Sequence, residues 1–354
     1  MARMLAGGSQ RQKTGMHISG VQVVLPDHRY TQAEITEAFS RLTNCDEELL
    51  RRFHRATGVE GRNLALTLPD YAKLDSFARA NDAYVENALD LGEQALRGAL
   101  RKADIRPEQV DHLLFCSTTG VATPSLDARL AQRVGLRPDV KRVPVFGLGC
   151  AAGAAGLSRL HDYLRGWPAH VAVLVCVELC SLTIQRDDTS IANLVASGLF
   201  GDGAAAAVGT GHGAGPEVVA TRSMLYPDTE HLMGWEVGDH GFRIVLDADL
   251  SDFVEQVLAG DIKAFLADYG LTPDQVATWI CHPGGPKVIE KIVQTLGLPA
   301  RALDVTWRSL REHGNLSSIS VLHVLQETRG RPGAPAVLLA LGPGFSAELL
   351  LLHW

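Results

Sequence analysis

Apolar positions along this chain follow two rhythms in turn, one of period two and one near 3.6 residues, and each switch predicts a change of element. HISGVQVVLP reads as a strand and TQAEITEAFSRL as a helix capped at Thr31. NDAYVENALDLGEQALRGALRKADI predicts a long amphipathic helix, and VDHLLFCSTTG a buried strand with a polar end. LDARLAQRVGL (helix), KRVPVFGLG (strand), a helix over Ala151 to Leu164 and HVAVLVCVELC (strand) follow. GLFGDGAAAAVGTG reads as another strand, entered through a glycine turn. The composition then turns to Gly, Ala and Pro near Gly211 to Pro216, which marks a seam. Beyond it come PEVVATRSML, FRIVLD, the helix DFVEQVLAGDIKAFLADYG and the strand ATWICHPGG. PAVLLALG and SAELLLLHW close the chain as two strands joined by a Gly-Pro-Gly turn. Two successive α/β stretches, 16–213 and 214–354, predict layered sheets with helices between and outside them.

Composition narrows the class. The 354 residues are 46% hydrophobic and 21% charged with a formal charge of −7, so no global basic field invites nucleic acid. No apolar run approaches the roughly 20 residues that span a bilayer. Residues 1–15 lack a long apolar core and read as a disordered tail rather than a signal peptide, with Met16 a candidate start. The six cysteines, Cys45, Cys116, Cys150, Cys176, Cys180 and Cys281, show no CxxC pairing and no metal-ligand spacing. Buried free thiols in a reducing cytosol are the expectation for most of them.

Cys150 differs from the rest. It follows VFGLG and directly precedes a small-residue helix with Leu157, Leu160 and Leu164 on one face, while Gly153 and Gly156 permit close packing. A helix N-terminus favours a thiolate and lowers a cysteine pKa from about 8.5. The same placement also suits a small apolar residue at a tight junction, and the stretch alone leaves both readings open. A nucleophilic thiol wants a base or a cation nearby. Of thirteen histidines, His282 stands out because it ends the apolar strand ATWIC before PGGP. Asn315, in HGNLSS, precedes a helix and reads as a cap that is free to take a second role. His313 and His323 sit at no such junction.

GLGCAAG around Cys150, CHPGGP around His282, HGNLSS around Asn315 and LGPGFSAE near the end, together with SLTIQ and LFGDGAAA, resemble the type III polyketide synthases. These are the chalcone-synthase-like condensing enzymes of the thiolase superfamily. The resemblance runs from about Met16 to Trp354 and implies an α/β, thiolase-like layered αβαβα fold with two duplicated halves. Ketoacyl synthases share Cys–His–Asn but usually carry His-Gln-Ala-Asn and an Asn-Thr-Ser context, where this chain has HPGG and NLSS.

The resemblance implies that Cys150 carries the acyl group as a thioester, that His282 stabilises the thiolate, and that His282 and Asn315 donate to thioester oxygens. It implies no metal or organic cofactor, CoA thioesters as substrates, a cytoplasmic homodimer, and Thr123 crossing to the partner. Phe200 and Phe242 match the family's pocket-guarding phenylalanines, with core packing as the plain alternative. Thr119, Thr183 and Ser317 match pocket-lining positions, and Gly342, Pro343 and Gly344 match a shaping loop. Arg52, with Arg51 and Arg55 as helpers, falls where CoA phosphates are held, although the family's lysines are missing. GVEGRNLALTLPDYAKL and MGWEVGDHGF resemble enzymes that make alkylresorcinols or alkylpyrones, which implies a medium or long acyl-CoA starter extended with malonyl-CoA. The alternatives are malonyl-primed tetrahydroxynaphthalene synthesis, a dihydroxyphenylacetyl product, a single-round ketoacyl synthase, and a non-enzymatic dimer scaffold.

Overall fold

The computed structural model describes residues 15–354, so the tail expected over 1–15 lies outside the described residues apart from Gly15. The first half runs β1 (Met16–Val24), β2 (His28–Thr31), α1 (Gln32–Thr43), α2 (Glu47–Ala56), β3 (Gly61–Leu64), α3 (Phe77–Lys102) and β4 (His112–Cys116). It continues with α4 (Leu126–Val134), β5 (Lys141–Val145), α5 (Ala152–Gly166), β6 (Val171–Leu179), α6 (Ile191–Leu199) and β7 (Asp202–Thr210). The second half runs β8 (Glu217–Leu225), β9 (Met233–Gly238), β10 (Gly241–Leu246), α7 (Leu250–Ala267), β11 (Thr278–Cys281) and α8 (Pro286–Leu296). It ends with α9 (Asp304–His313), α10 (Ser318–Glu327), β12 (Pro335–Gly342) and β13 (Ser346–His353).

The duplication is visible in the strand pairing. In the first half β1 pairs antiparallel with β7, β7 antiparallel with β6, and β6 parallel with β4. In the second half β8, β13, β12 and β11 repeat that sequence of directions. The first half adds β5 at its edge, parallel to β4. A short ladder, Met16 to Val218 and His17 to Glu217, fuses the halves into one nine-stranded sheet, a joint that periodicity could not show.

Alternation along the strands builds the layers. On β6, Ala172, Leu174 and Cys176 face one apolar cluster with residues of α5 and α10, while Val173, Val175 and Val177 face another with α3. On β12, Ala336, Leu338 and Ala340 join the same central cluster, while Val337, Leu339 and Leu341 face α7 and α8. The helices α5 and α10 therefore form the middle layer, each leading into the third strand of its repeat. Glycine sets their closeness: a Cβ at Gly153 would stand 2.8 Å from Val321 of α10. Cys150 and Asn315 sit where these two central helices begin.

Candidate active site

Cys150 lies in a 3-10 turn, Gly149–Ala151, that leads into α5 at Ala152. Gly149 takes φ +47°, and a Cβ there would stand 2.7 Å from Pro343 Cδ. The Gly342-Pro343-Gly344 turn between β12 and β13 thus packs directly on the cysteine turn. A Cβ at Gly342 would likewise meet Ala151 N at 2.7 Å.

The other two residues arrive from the second half. His282 directly follows β11, its N–H donating to Leu339 O at 2.8 Å. Gly284 N–H returns to His282 O at 3.0 Å. Asn315 precedes α10, and its N–H donates to Leu199 O at 2.8 Å. Its carboxamide is held at both ends, Oδ1 accepting from Ser317 N–H at 2.8 Å and Nδ2 donating to Gly284 O at 3.2 Å. One amide hydrogen remains for a ligand. Cys150 Sγ lies 4.0 Å from Asn315 Oδ1 and 3.7 Å from Ser317 Oγ. Ser317 itself takes φ +52°, an uncommon backbone for a residue with a side chain.

Cys150, His282 and Asn315 line one small pocket of about 30 Å³, walled by Phe200, Met233, Leu246, Val288 and Phe345 among others. All three are buried, at 6%, 4% and 2% exposure. Burial sets their protonation. It pushes the Cys150 thiol up to about 12 and the His282 imidazole down to about 3. The lowered thiol pKa expected from a helix N-terminus is therefore not met: desolvation outweighs the dipole, and Glu178 adds a like charge. Both ring nitrogens of His282 lack a hydrogen-bond partner among the described residues.

The remaining candidates separate. Phe200 reaches the Cys150 pocket, but Phe242 does not. Phe242 lies in a neighbouring cavity of about 560 Å³, with Thr119 and Thr183, and its ring meets Phe77 edge-on at 5.5 Å. Its place in the hairpin β9–β10, rather than beside the cysteine turn, explains the difference. Arg52 is exposed on α2 and lines none of these cavities. Arg51 pairs with Glu47 and Glu48 on its own helix. Thr123 is exposed in the loop after β4. His313 and His323 pack on each other, rings 4.9 Å apart, away from the thiol pocket.

Glu178 escaped the sequence reading. It sits on the β6 face that turns toward α5 and α10 and accepts from Thr118 N–H, Thr119 Oγ1 and Ser318 Oγ at 3.1, 3.0 and 2.9 Å. Burial raises its pKa to about 7. A lone acid in the apolar run VAVLVCVEL was the available signal. Phe345, in the shaping turn, was missed as a wall of the pocket.

A duplicated five-layer α/β fold with a buried thiol, imidazole and carboxamide at its centre is the architecture of the thiolase-type condensing acyltransferases. Residues 6–216 and 217–354 match the family models for the N-terminal and C-terminal domains of chalcone and stilbene synthases. The chain belongs to that family and is a type III polyketide synthase. It is 55% identical to the 1,3,6,8-tetrahydroxynaphthalene synthase of Streptomyces peucetius subsp. caesius, over 96% of this chain and 93% of that one. It is 30% identical to the 3,5-dihydroxyphenylacetyl-CoA synthase of Streptomyces toyocaensis, over 95% and 90%. The crystal structure of 1,3,6,8-tetrahydroxynaphthalene synthase from Streptomyces coelicolor A3(2) superimposes with a TM-score of 0.91 at 31% identity, covering 96% of this chain and 99% of that one. Among the described residues no helix is long and apolar enough to cross a membrane.

Proposed function

We propose that this enzyme primes with malonyl-CoA, extends with further malonyl-CoA, and closes the chain to a polyhydroxylated naphthalene. The 55% identity to a tetrahydroxynaphthalene synthase over nearly the whole chain carries this reading. It replaces the alkylresorcinol and alkylpyrone product as the main expectation. The cavity of about 560 Å³, lined by polar Thr119, Ser181, Thr183 and Gln185, shares Ser181 and Thr183 with a small gap that Phe200 of the thiol pocket also lines, and suits a poly-oxygenated intermediate.

In the proposed cycle the thiol of Cys150 attacks the starter thioester as His282, neutral in its buried setting, takes the proton. The new C–S bond forms, and CoA leaves with that proton. The extender then loses carbon dioxide, and the electron pair of the broken C–C bond moves into an enolate. Its oxygen faces the spare N–H of Asn315 Nδ2 and the unpartnered imidazole. The enolate carbon attacks the acyl carbonyl, the bond to Sγ breaks, the lengthened chain stays on the extender's own CoA, and Sγ takes a proton from solvent before the next loading.

The exposed strand β5 supports a homodimer. All of Lys141, Arg142, Val143 and Pro144 are exposed on this sheet edge, and Phe146 just beyond is 55% exposed. Thr123 follows the adjacent strand at the same end, where a partner chain would reach the large cavity.

One observation favours the alkyl-starter reading as second. A mostly apolar groove of about 660 Å³ runs between α1 and the 3-10 turn Leu68–Lys73 and shares Leu42, Tyr71, Ser181 and Ile184 with the cavity of about 560 Å³. Purified enzyme supplied with malonyl-CoA alone, and then with acyl-CoAs of increasing length, separates the two by product mass. A naphthalene from malonyl-CoA alone supports the main reading. Products that appear only with long acyl-CoA support the second, and a single two-carbon extension removes both.

A further inference from the structure

Among the described residues Arg62 is the one buried cation close to both reactive segments, and the thiol chemistry does not use it. It sits on β3 at 2% exposure, in an interior where an ion is costly. Its Nε lacks a hydrogen-bond partner among the described residues, and Asp202, the carboxylate acting on its charge, is itself bonded to Ser181 and Ala65 N–H. Such incomplete pairing is poor design for stability alone. The guanidinium instead addresses backbone. Nη1 donates to Phe200 O at 2.5 Å, and Nη2 donates to Ser197 O at 2.7 Å and to Gln32 Oε1 at 3.2 Å. Two of these acceptors lie at the C-terminal end of α6, where unpaired carbonyls attract a cation.

The stem of the same side chain touches the other segment. A Cβ at Gly314 would stand 3.0 Å from Arg62 Cδ and 3.2 Å from Cγ, so the arginine lies flat against the residue before Asn315. These two segments are themselves joined. Asn315 N–H donates to Leu199 O at 2.8 Å, and Gly201 N–H donates to Asn315 O at 3.0 Å, an isolated parallel bridge around Phe200. One rigid fork therefore spans the Phe200 backbone while its stem packs on Gly314, the residue before Asn315.

We propose that Arg62 is a positioning residue that fixes the Asn315 carboxamide at the distance enolate formation requires, by clamping the Phe200–Asn315 bridge from its buried side. This inference rests on the decarboxylative reading of the site. It predicts a selective defect. Starter loading depends chiefly on Cys150 and His282, whereas malonyl-CoA decarboxylation depends on the placement of the carboxamide, and misplacement by about 1 Å can cost on the order of 10²-fold.

The test compares Arg62→Gln, Arg62→Lys and Gln32→Leu with the parent enzyme, all normalised to the fraction of Cys150 that acyl-CoA can load. Carbon dioxide release from labelled malonyl-CoA and loading by mass spectrometry are read separately. For Arg62→Gln the expected result is a fall in decarboxylation kcat of about tenfold or more, with loading rate and malonyl-CoA KM changed less than about threefold. Arg62→Lys keeps the charge but cannot span both carbonyls, so it should recover part of the loss. Gln32→Leu leaves the arginine in place with one acceptor fewer and should shift the same ratio by a smaller factor, which keeps the idea testable if the arginine variants do not fold. Equal losses in both steps, or no loss per loadable thiol in any folded variant, would overturn the positioning role. Asn315→Ala serves as the reference: if it lowers decarboxylation while the Arg62 and Gln32 variants do not, only this inference fails. If Asn315→Ala is itself without effect, the reading of the site fails first.

Discussion

At the scale of single residues, the site depends on three groups that burial would otherwise keep inert. Cys150→Ala should abolish acyl loading and product, whereas Cys150→Gln should still release carbon dioxide from malonyl-CoA, because His282 and Asn315 remain. Product formation by the alanine variant at the parental rate would remove Cys150 from the mechanism. Loss of the Asn315 donor should cost about 3 kcal/mol in the decarboxylation step, roughly 10²-fold in rate. A pH signature follows from His54, whose Nδ1 lies 2.8 Å from Thr36 Oγ1 and Nε2 3.0 Å from Ser197 Oγ. Burial, aided by the charge of Arg62, lowers its pKa from 6.5 to about 3. The unfolded chain takes the proton first as pH falls, so stability present above about 6.5 is lost on the way down toward 3. In His54→Gln that loss is missing, and the gap in Tm between parent and variant should narrow as pH drops from neutral to about 4. A gap independent of pH would show that His54 takes up its proton equally in the folded and unfolded chain. Cys150, His282 and Asn315 were all legible as residues, since each stands at a junction between an apolar strand or glycine turn and a helix. Glu178 and Arg62 were not, because a charged residue in a short or apolar strand carries no label for the backbone it will meet.

At the scale of elements, the turn before α5 matters more than the helix itself. Gly149→Ala places a Cβ 2.7 Å from Pro343 at φ +47°, a backbone that costs a side chain on the order of 1–3 kcal/mol. Urea unfolding should show that loss, and acyl loading should fall with it because Cys150 is the next residue. Unchanged loading in a folded Gly149→Ala would mean that the turn tolerates displacement. Most long elements were readable from their period: PAVLLALG is β12 to the residue, and LDARLAQRVGL holds α4, which stops two residues earlier at Val134. The short helices α2, α6, α8 and α9 were not read from the pattern, nor was β9, the partner of the FRIVLD strand β10. Short length leaves few periods to read, and part of the stabilising context comes from another element. α2, for example, buries only Leu50 and His54, and His54 meets Ser197 of α6.

At the scale of the whole molecule, β5 remains an open sheet edge with Val143 41% and Phe146 55% exposed. If two chains pack there, Phe146→Asp with Val143→Lys should yield monomers by sedimentation equilibrium and lower product formation, since the large cavity lies beside Phe146 through its contact with Phe242. A parent that sediments as one chain would remove the dimer. The amino-acid order alone determined the alternating elements, the repeat of an α/β unit, and the kinds of reactive residue at its junctions, because these follow from local periodicity and from which residues end strands and begin helices. Only the tertiary structure decided that β1 and β8 fuse the repeats, and that Phe200 rather than Phe242 lines the thiol pocket. It alone also decided that burial raises the pKa of Cys150 and lowers that of His282, and that Arg62 packs on Gly314 beside Asn315. Those outcomes depend on distances between residues far apart in the chain and on the water excluded between them, and neither quantity is encoded in any local stretch.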